Sequence, residues 1–251
     1  MSNPTFNKKT FEAINLYGDK AMTVQGAINR TGFCLVLLVA SATFVWVQVF
    51  GKDGQIAPLI YGMPLGAAAM GAGIVGFLVA LVIIFKKEWS AMLAPVYALV
   101  EGVLIGAVST MMETMYPNIV MQAVIVSFGT LFSMLILYKL NILRATAGFK
   151  FGVVAATGGI ALLYVISMVM GLFGKSIPFL HSNGWFGIGF SIFVVIVAAM
   201  NLILDFDLIE QGAAQGAPRF MEWYSAFALM VTLVWLYLEI LNLLGKLRSR
   251  N

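Results

Sequence analysis

The chain is poor in charged residues and contains one cysteine and one histidine. Charged side chains make up 10% of its 251 residues, whereas an ordinary soluble domain carries about 25%. A soluble fold of this length would therefore lack the polar surface it needs. Disorder is also excluded, because the 61% of residues that are hydrophobic cannot stay solvated. The sequence predicts a membrane protein that contacts the lipid bilayer along most of its length.

The scarcity of cysteine and histidine excludes several kinds of site. Cys34 alone cannot form an internal disulfide or a cysteine-based metal cluster, and within an apolar run it is expected to be a small buried side chain. His181 lies in a polar loop, away from the membrane-embedded position that an intramembrane serine protease requires. The Gly-x-Gly-Asp stretch of an intramembrane aspartyl protease does not precede Asp205 or Asp207. We therefore expect neither an enzyme nor a bound cofactor.

Long hydrophobic runs dominate what is present. Each has about the 20 apolar residues that a spanning helix needs, and none alternates in polarity as a barrel strand would. The predicted fold is an all-α bundle of seven transmembrane helices over residues 31–245, with a polar N-terminal segment (1–30) and a basic tail (246–251). Pro64 predicts a bend or an interfacial stretch at the start of the second run. The runs are Thr31–Phe50, Ala57–Phe85, Trp89–Met111, Ile119–Tyr138, Phe151–Phe173, Trp185–Leu204 and Phe220–Leu244.

The basic residues orient this bundle. Ten lysines and arginines lie in the N-terminal segment and in alternate loops, and five lie in the opposite loops and the tail. The N-terminal segment is therefore predicted to be cytoplasmic. The basic tail breaks this rule if the last run crosses fully and obeys it if that run is re-entrant; seven full crossings are the favoured interpretation. Because basic residues flank apolar runs, we expect contacts with anionic lipid headgroups and not with nucleic acid.

Small residues four positions apart predict close packing between helices. Such spacing places the small side chains on one helical face, so that two backbones can approach in lipid. The sets are Gly102 and Gly106; Ala68, Ala72 and Gly76; and Ala155 and Gly159.

Three acids lie within or at the end of the runs. Glu101 is near the middle of the third run, Asp205 ends the sixth, and Glu239 is in the last. A charged carboxylate at the bilayer centre costs about 2.5–3.5 kcal/mol, and none of the fifteen lysines and arginines falls within a predicted span. The acids must then be protonated, hydrated, paired with one another or neutralised by a cation. Structural alternatives are an interfacial position for Asp205 or Glu239 and a backbone hydrogen bond for Glu101.

Neighbouring polar residues agree with a functional interpretation. Asn201 lies four residues before Asp205, and Asn242 lies three after Glu239, so each shares a helical face with its acid. Asp207 is two residues after Asp205 and points elsewhere. Two acids that share a proton would sense pH, and a metal ion between them would mark a cation site.

Three short pieces of sequence resemble the Bax inhibitor-1 family (transmembrane Bax inhibitor motif proteins). ALVEGVLIG around Glu101 is similar to the family's Glu-Gly-hydrophobic-Leu-Gly stretch. LDFDLIE (204–210) resembles the aspartate-containing end of its sixth helix, and LYLEILNLL (236–244) its Leu-Tyr-Leu-Asp signature. The hydrophobic layout resembles the family over most of the chain, which looks most like a bacterial member. The resemblance implies a seven-helix bundle with the last helix at its centre, in the bacterial inner membrane.

The resemblance also implies a function. Members of the family have a pH-sensitive pathway that leaks calcium ions, gated by two aspartates that share a proton. By motif the first falls on Asp205, with Asp207 as an alternative, and the second falls on Glu239, which is longer by one methylene. With Glu101 these residues are the predicted pH sensor and ion pathway, and Asp205 and Glu239 are candidate transient calcium ligands.

The spacing of the two motif acids raises a geometric question. Asp205 and Glu239 are 34 positions apart. A straight helix starting at Trp223 would carry Glu239 about 24 Å along its axis and leave Asp205 at the opposite membrane face. The two acids could then meet only if Gly212–Trp223 dips into the bundle, or if the last helix is broken or re-entrant.

Two other functions fit the residues. A proton-coupled secondary transporter would also need membrane acids, although no internal repeat is evident. A membrane scaffold or regulator of another membrane protein could use the polar N-terminal segment to dock its partner.

Overall fold

The computed structural model describes residues 21–51, 59–60, 63–174 and 184–250. In these residues seven helices are long and apolar enough to span a membrane, which confirms the predicted fold class. His181 and the N-terminal segment up to Lys20 lie outside the described residues. The helices are α1 (Val24–Phe50), α2 (Leu65–Phe85), α3 (Ser90–Met115), α4 (Ile119–Lys139), α5 (Ala147–Leu172), α6 (Trp185–Ala214) and α7 (Phe220–Arg248).

Shorter elements precede two of the helices. A single 3₁₀ turn, Lys87–Trp89, leads into α3. The two-residue strands β1 (Leu59–Ile60) and β2 (Met63–Pro64) pair antiparallel immediately before α2. The helix in the second hydrophobic run thus begins directly after Pro64, so the first part of that run is not part of the spanning helix.

Several helices extend beyond the hydrophobic runs that predicted them. α1 begins at Val24 and not at Thr31, with the Thr23 side chain accepting a hydrogen bond from the Gly26 amide at its N-terminus. α6 continues past Leu204 to Ala214. Hydropathy marks only the apolar part of a helix, because a helix can continue into polar sequence wherever its polar side chains find partners.

The last helix, α7, is the centre of the bundle. It packs against α1, α3, α4 and α6. Its Phe227 and Met230 join one buried cluster with residues of α1 and α3, and its Leu236 and Ile240 join another with residues of α4 and α6. The central position implied by the family resemblance is therefore confirmed. Cys34 is buried in the first of these clusters, as predicted.

The end of α7 corrects the predicted basic tail. α7 is continuous from Phe220 to Arg248, so the re-entrant alternative is not adopted. Lys246, which the sequence placed in the tail, is 6% exposed. Its ammonium donates hydrogen bonds to the Gly187 carbonyl at 3.2 Å and to the Ser191 hydroxyl at 2.9 Å, both at the start of α6.

The two remaining described basic residues of the tail also contact the protein. The Arg248 guanidinium donates a 2.6 Å hydrogen bond to the Pro117 carbonyl, between α3 and α4. The Arg250 guanidinium lies over the Trp185 ring, 3.9 Å from its centroid. These contacts bring the C-terminal end of α7 to the same end of the bundle as the start of α6 and the α3–α4 connection.

Close helix packing occurs at some of the predicted small residues. A Cβ atom added to Gly102 would lie 2.4 Å from the Leu38 carbonyl oxygen, and one added to Gly106 would lie 2.8 Å from the Val45 Cβ. These two glycines therefore let α3 approach α1, as their spacing predicted. At Gly159 in α5 nothing lies within 4 Å of an added Cβ, so the prediction of close packing there is wrong.

Candidate functional site

The three acids that the sequence singled out share one feature. Each has a buried carboxylate oxygen with no hydrogen-bond partner among the described residues: Oε2 of Glu101, Oδ2 of Asp205 and Oε2 of Glu239. A buried polar atom left unpaired costs about 1–3 kcal/mol, and more when it is charged. Each acid therefore has the capacity to take up a proton or a cation at that oxygen.

Glu239 lies on α7 and is 6% exposed. Its Oε1 accepts a 2.6 Å hydrogen bond from the Tyr164 hydroxyl on α5 and a 3.3 Å hydrogen bond from the Trp235 indole. The Asn242 side chain, one turn further along α7, also interacts with the carboxyl. One oxygen is thus well satisfied, and the other is left for a further ligand.

A cavity of about 500 Å³ lies beside Glu239. Polar groups of α5 and α7 line it, including Ser167, Asn242 and Lys246. Lys246 follows Glu239 by two helical turns on the same face of α7, and its charge attracts the carboxylate. The expectation that Glu239 lacks a basic neighbour is therefore wrong. The recurrence of polar residues at 239, 242 and 246 was the sequence signal that could have revealed this lysine.

Asp205 lies inside α6, nine residues before the helix ends at Ala214. The helix thus continues beyond the hydrophobic run that Asp205 ends in the sequence. The Asp205 carboxyl interacts with the Thr232 side chain of α7. The Thr232 hydroxyl also lies 3.3 Å from the Ala228 carbonyl, so its single proton is shared between that oxygen and Asp205.

The register of α6 against α7 sets the offset between Asp205 and Glu239. Asp205 faces Thr232, which precedes Glu239 by seven residues, or about 10 Å along the helix axis. Among the described contacts no hydrogen bond joins the two carboxyls, because Glu239 is bonded to Tyr164 and Trp235. The two carboxyls are therefore offset by about two turns of α7, and α7 shows no break that would bring them together.

Asp207 and Asn201, which the sequence grouped with Asp205, instead hold α5. Asp207 forms an ion pair with Lys150 on α5. Asn201 donates a 2.8 Å hydrogen bond to the Thr157 hydroxyl, also on α5. Its amide is engaged there and not with Asp205.

These contacts form a polar stripe on α5, made of Lys150, Thr157 and Tyr164. The three are spaced seven residues apart and so lie on one face of the helix. They bind Asp207, Asn201 and Glu239 in turn. α5 otherwise packs chiefly against α6. The sequence did not point to Tyr164 and Thr157, because a single polar residue in an apolar run usually has only a packing role.

Glu101 on α3 faces a different part of α7. It is 6% exposed, and the Tyr97 side chain, one turn earlier, interacts with its carboxyl. Its Oε1 approaches α2 so closely that a Cβ atom added to Gly76 would lie 2.6 Å away. The pocket beside it includes Val231, the neighbour of Thr232 in α7. Glu101 and Asp205 therefore lie at the same level of the bundle, on different sides of α7.

Glu222 is a buried acid that the sequence analysis left among the residues at helix ends. It is 3% exposed and accepts 3.0 Å hydrogen bonds from the Thr23 amide and hydroxyl. The Arg30 guanidinium lies 3.8 Å from its other oxygen. Its role is to join the start of α1 to the start of α7.

A resident metal site is not formed by the described residues, which contain no group of three histidine, cysteine or acidic side chains able to hold a metal ion. Calcium takes six to eight oxygen ligands. Glu239, with the hydroxyl of Ser167 and the amide of Asn242 on the same cavity, offers too few oxygen ligands for a fixed calcium site, and the Lys246 ammonium lines that cavity as well.

Comparison with known proteins identifies the family. A family profile described as Bax inhibitor 1 like matches residues 3–249, nearly the whole chain. No curated protein and no solved structure matches the chain. The match agrees with the seven membrane-length helices and with the three short motifs around Glu101, Asp205 and Glu239. The chain is a multi-pass membrane protein that belongs to the Bax inhibitor 1-like family.

Proposed function

We propose that this protein forms a pH-sensitive pathway through which calcium or other cations leak passively across the membrane, opened by protonation of acids in α6 and α7. One observation carries the proposal: Asp205 and Glu239 each hold a buried carboxylate oxygen without a hydrogen-bond partner among the described residues. Such oxygens bind protons and cations. On this proposal the protein is not an enzyme, and calcium is its cargo and not a cofactor.

The polar stripe on α5 supplies the gate. When Glu239 is ionised, it accepts a hydrogen bond from Tyr164 and attracts Lys246. Protonation removes the charge and weakens both interactions, because hydrogen bonds to ionised groups are about twice as strong as neutral ones. Since α5 packs chiefly against α6, it is the helix that moves most easily once this contact to α7 is weakened.

The groups around the two acids set the direction of the pH response. Glu239 faces Tyr164 from α5, with Trp235, Asn242 and Lys246 on its own helix. Asp205 faces Thr232. The carboxyls of Glu239 and Asp205 lose their charge as pH falls, so on this proposal the pathway opens in acid.

The offset of about 10 Å between the acids suits two successive steps better than one shared proton. A cation would pass the cavity beside Glu239 and then the level of Asp205. We propose that the N-terminal segment faces the cytoplasm of a bacterial cell and that the protein resides in its inner membrane. The cavity beside Glu239 would then open toward the outer side, near the C-terminal end of α7.

Calcium flux into liposomes tests the proposal. Purified protein would be reconstituted with a calcium indicator and measured over pH 5–8 as wild type, Asp205→Asn and Glu239→Gln. Each amide mimics the protonated acid, so we expect raised flux at neutral pH and a smaller response to acid. Glu88→Gln, an exposed acid, is the matched control. Identical flux and pH response in all four proteins would refute the assignment.

The same preparation separates the leak from the two other functions. A proton-coupled transporter would show saturable uptake of an organic solute driven by a pH gradient, whereas a leak follows the cation gradient alone. A scaffold without transport would conduct nothing at any pH.

A further inference from the structure

A second pocket, away from Asp205 and Glu239, lies between α2, α3 and α7. Its volume is about 410 Å³, within the range of about 300–1,000 Å³ that small-molecule sites occupy. Glu101 lines it together with the aromatic rings of Phe77, Tyr97, Tyr224 and Phe227. It shares no lining residue with the cavity beside Glu239.

The carboxyl of Glu101 is the polar group of this pocket with unused bonding capacity. The side chain is 6% exposed, and its Oε2 has no hydrogen-bond partner among the described residues. Oε1 lies against Gly76, where only a glycine leaves room for it. A glutamate held in this way, in mostly apolar surroundings, needs a positive ligand to remain ionised.

Aromatic side chains form much of the pocket wall beside Glu101. Tyr97 and Phe227 meet edge to face with centroids 4.9 Å apart, and Tyr224 adjoins Phe227 at 6.2 Å. The Tyr224 ring already has a cation as neighbour, because the Lys87 ammonium lies 5.2 Å from its centroid. Aromatic faces combined with a carboxylate are the chemistry that recognises organic ammonium groups.

The position of the pocket selects a ligand that dissolves in the bilayer. α2 forms one wall, and its lining residues Phe77 and Ile84 are 63% and 47% exposed on the lipid-facing surface. α2 packs chiefly against α3, so the pocket lies between α2 and α7. A small hydrated ion would lose its water shell against this apolar lining, whereas an apolar cation would not.

We propose that this pocket binds lipophilic organic cations, that is, ammonium or phosphonium ions with apolar substituents, with Glu101 as the counterion. The inference does not depend on the proposed leak, because it uses a different acid and a different cavity. A ligand bound there would contact α2, α3 and α7 together.

Binding of tetraphenylphosphonium tests this proposal. Purified full-length protein in an uncharged detergent would be examined by equilibrium dialysis, with tetraphenylborate, an anion of the same shape, as the matched ligand. We expect the wild type to bind the cation in preference to the anion. Glu101→Gln should lower the affinity for the cation by about tenfold or more, as expected for one desolvated cation–carboxylate contact. Glu88→Gln should leave it unchanged.

A second variant tests the site while keeping its charge. Gly76→Ala places a methyl group where the Glu101 carboxyl now lies, so it should weaken cation binding in a protein that elutes as a single species on gel filtration. This variant also serves if Glu101→Gln does not fold. Equal binding of the two ions by the wild type would overturn the proposal. Cation affinity unchanged in either folded variant would overturn it as well.

Discussion

Tyr164 on α5 donates a 2.6 Å hydrogen bond to Glu239 on α7. It is the last of three polar contacts at seven-residue spacing that hold α5 to its neighbours. At the other end of this stripe Lys150 pairs with Asp207, and Glu239 is the acceptor whose protonation we propose weakens the attachment of α5. The Thr157–Asn201 contact between them does not titrate.

Tyr164→Phe should raise calcium flux through liposomes several-fold at pH 7 and reduce its further rise on acidification. The reason is that the variant removes the contact that protonation of Glu239 weakens. Thr157→Val is the matched comparison, because it breaks a neutral contact of the same stripe: flux should rise by a similar amount at every pH, and the pH response should persist. If Tyr164→Phe kept the wild-type pH response, α5 would not be the gate.

Lys246→Gln should increase calcium flux at all pH values. The buried ammonium lies on the cavity that Glu239 lines and repels a passing cation, most strongly when Glu239 is protonated and no longer offsets it. Glutamine keeps a hydrogen-bond donor for Ser191. Arg250→Gln removes the same charge at the same end of the bundle, outside that cavity, and should leave the flux unchanged. Equal flux from both variants would contradict this role.

Gly102→Ala should destabilise the bundle by about 1–3 kcal/mol, because the added methyl group would overlap the Leu38 carbonyl and separate α1 from α3. The effect is measured as a lower midpoint of thermal or detergent-induced unfolding. Gly159→Ala is the control, since an added Cβ meets nothing within 4 Å there. A midpoint for Gly102→Ala at or above that of the control would exclude close packing at this position.

Glu222→Gln should lower the stability by about 1–3 kcal/mol, because it weakens a buried contact made with Thr23 and Arg30. The midpoint of unfolding measures this loss. The pH dependence of calcium flux should stay as in the wild type, because Glu222 lies at the start of α7, far from Glu239 along the helix. A changed pH response with normal stability would instead place Glu222 in the pathway.

Much of the architecture follows from the sequence alone. Seven hydrophobic runs predicted seven helices, because insertion into a bilayer depends on the local hydropathy of about 20 residues. Gly102 and Gly106 predicted a close helix contact from their spacing alone. The bounds of the helices were less accurate: α6 runs to Ala214 and α7 to Arg248, because polar residues extend a helix when distant partners satisfy them.

In the candidate site, the acids could be predicted from the sequence but their neighbours could not. The sequence identified Glu101, Asp205 and Glu239 by a local rule, namely that an acid in an apolar run needs an explanation, and each does carry an unpaired buried oxygen. Their neighbours depended on the packing of helices that are far apart in sequence. Asp207 has Lys150 as its partner, Glu239 has Tyr164 on one side and Lys246 on the other, and Asp205 has Thr232.

The sequence by itself determined that this protein is a seven-helix membrane bundle with acids inside it, because hydropathy and the cost of a buried charge are properties of short segments. Only the tertiary structure decided which acids are neutralised, which remain available, and that Asp205 and Glu239 lie two turns apart. The physical reason is that these outcomes depend on the register and rotation of α5 and α6 against α7, which packing over the whole bundle determines.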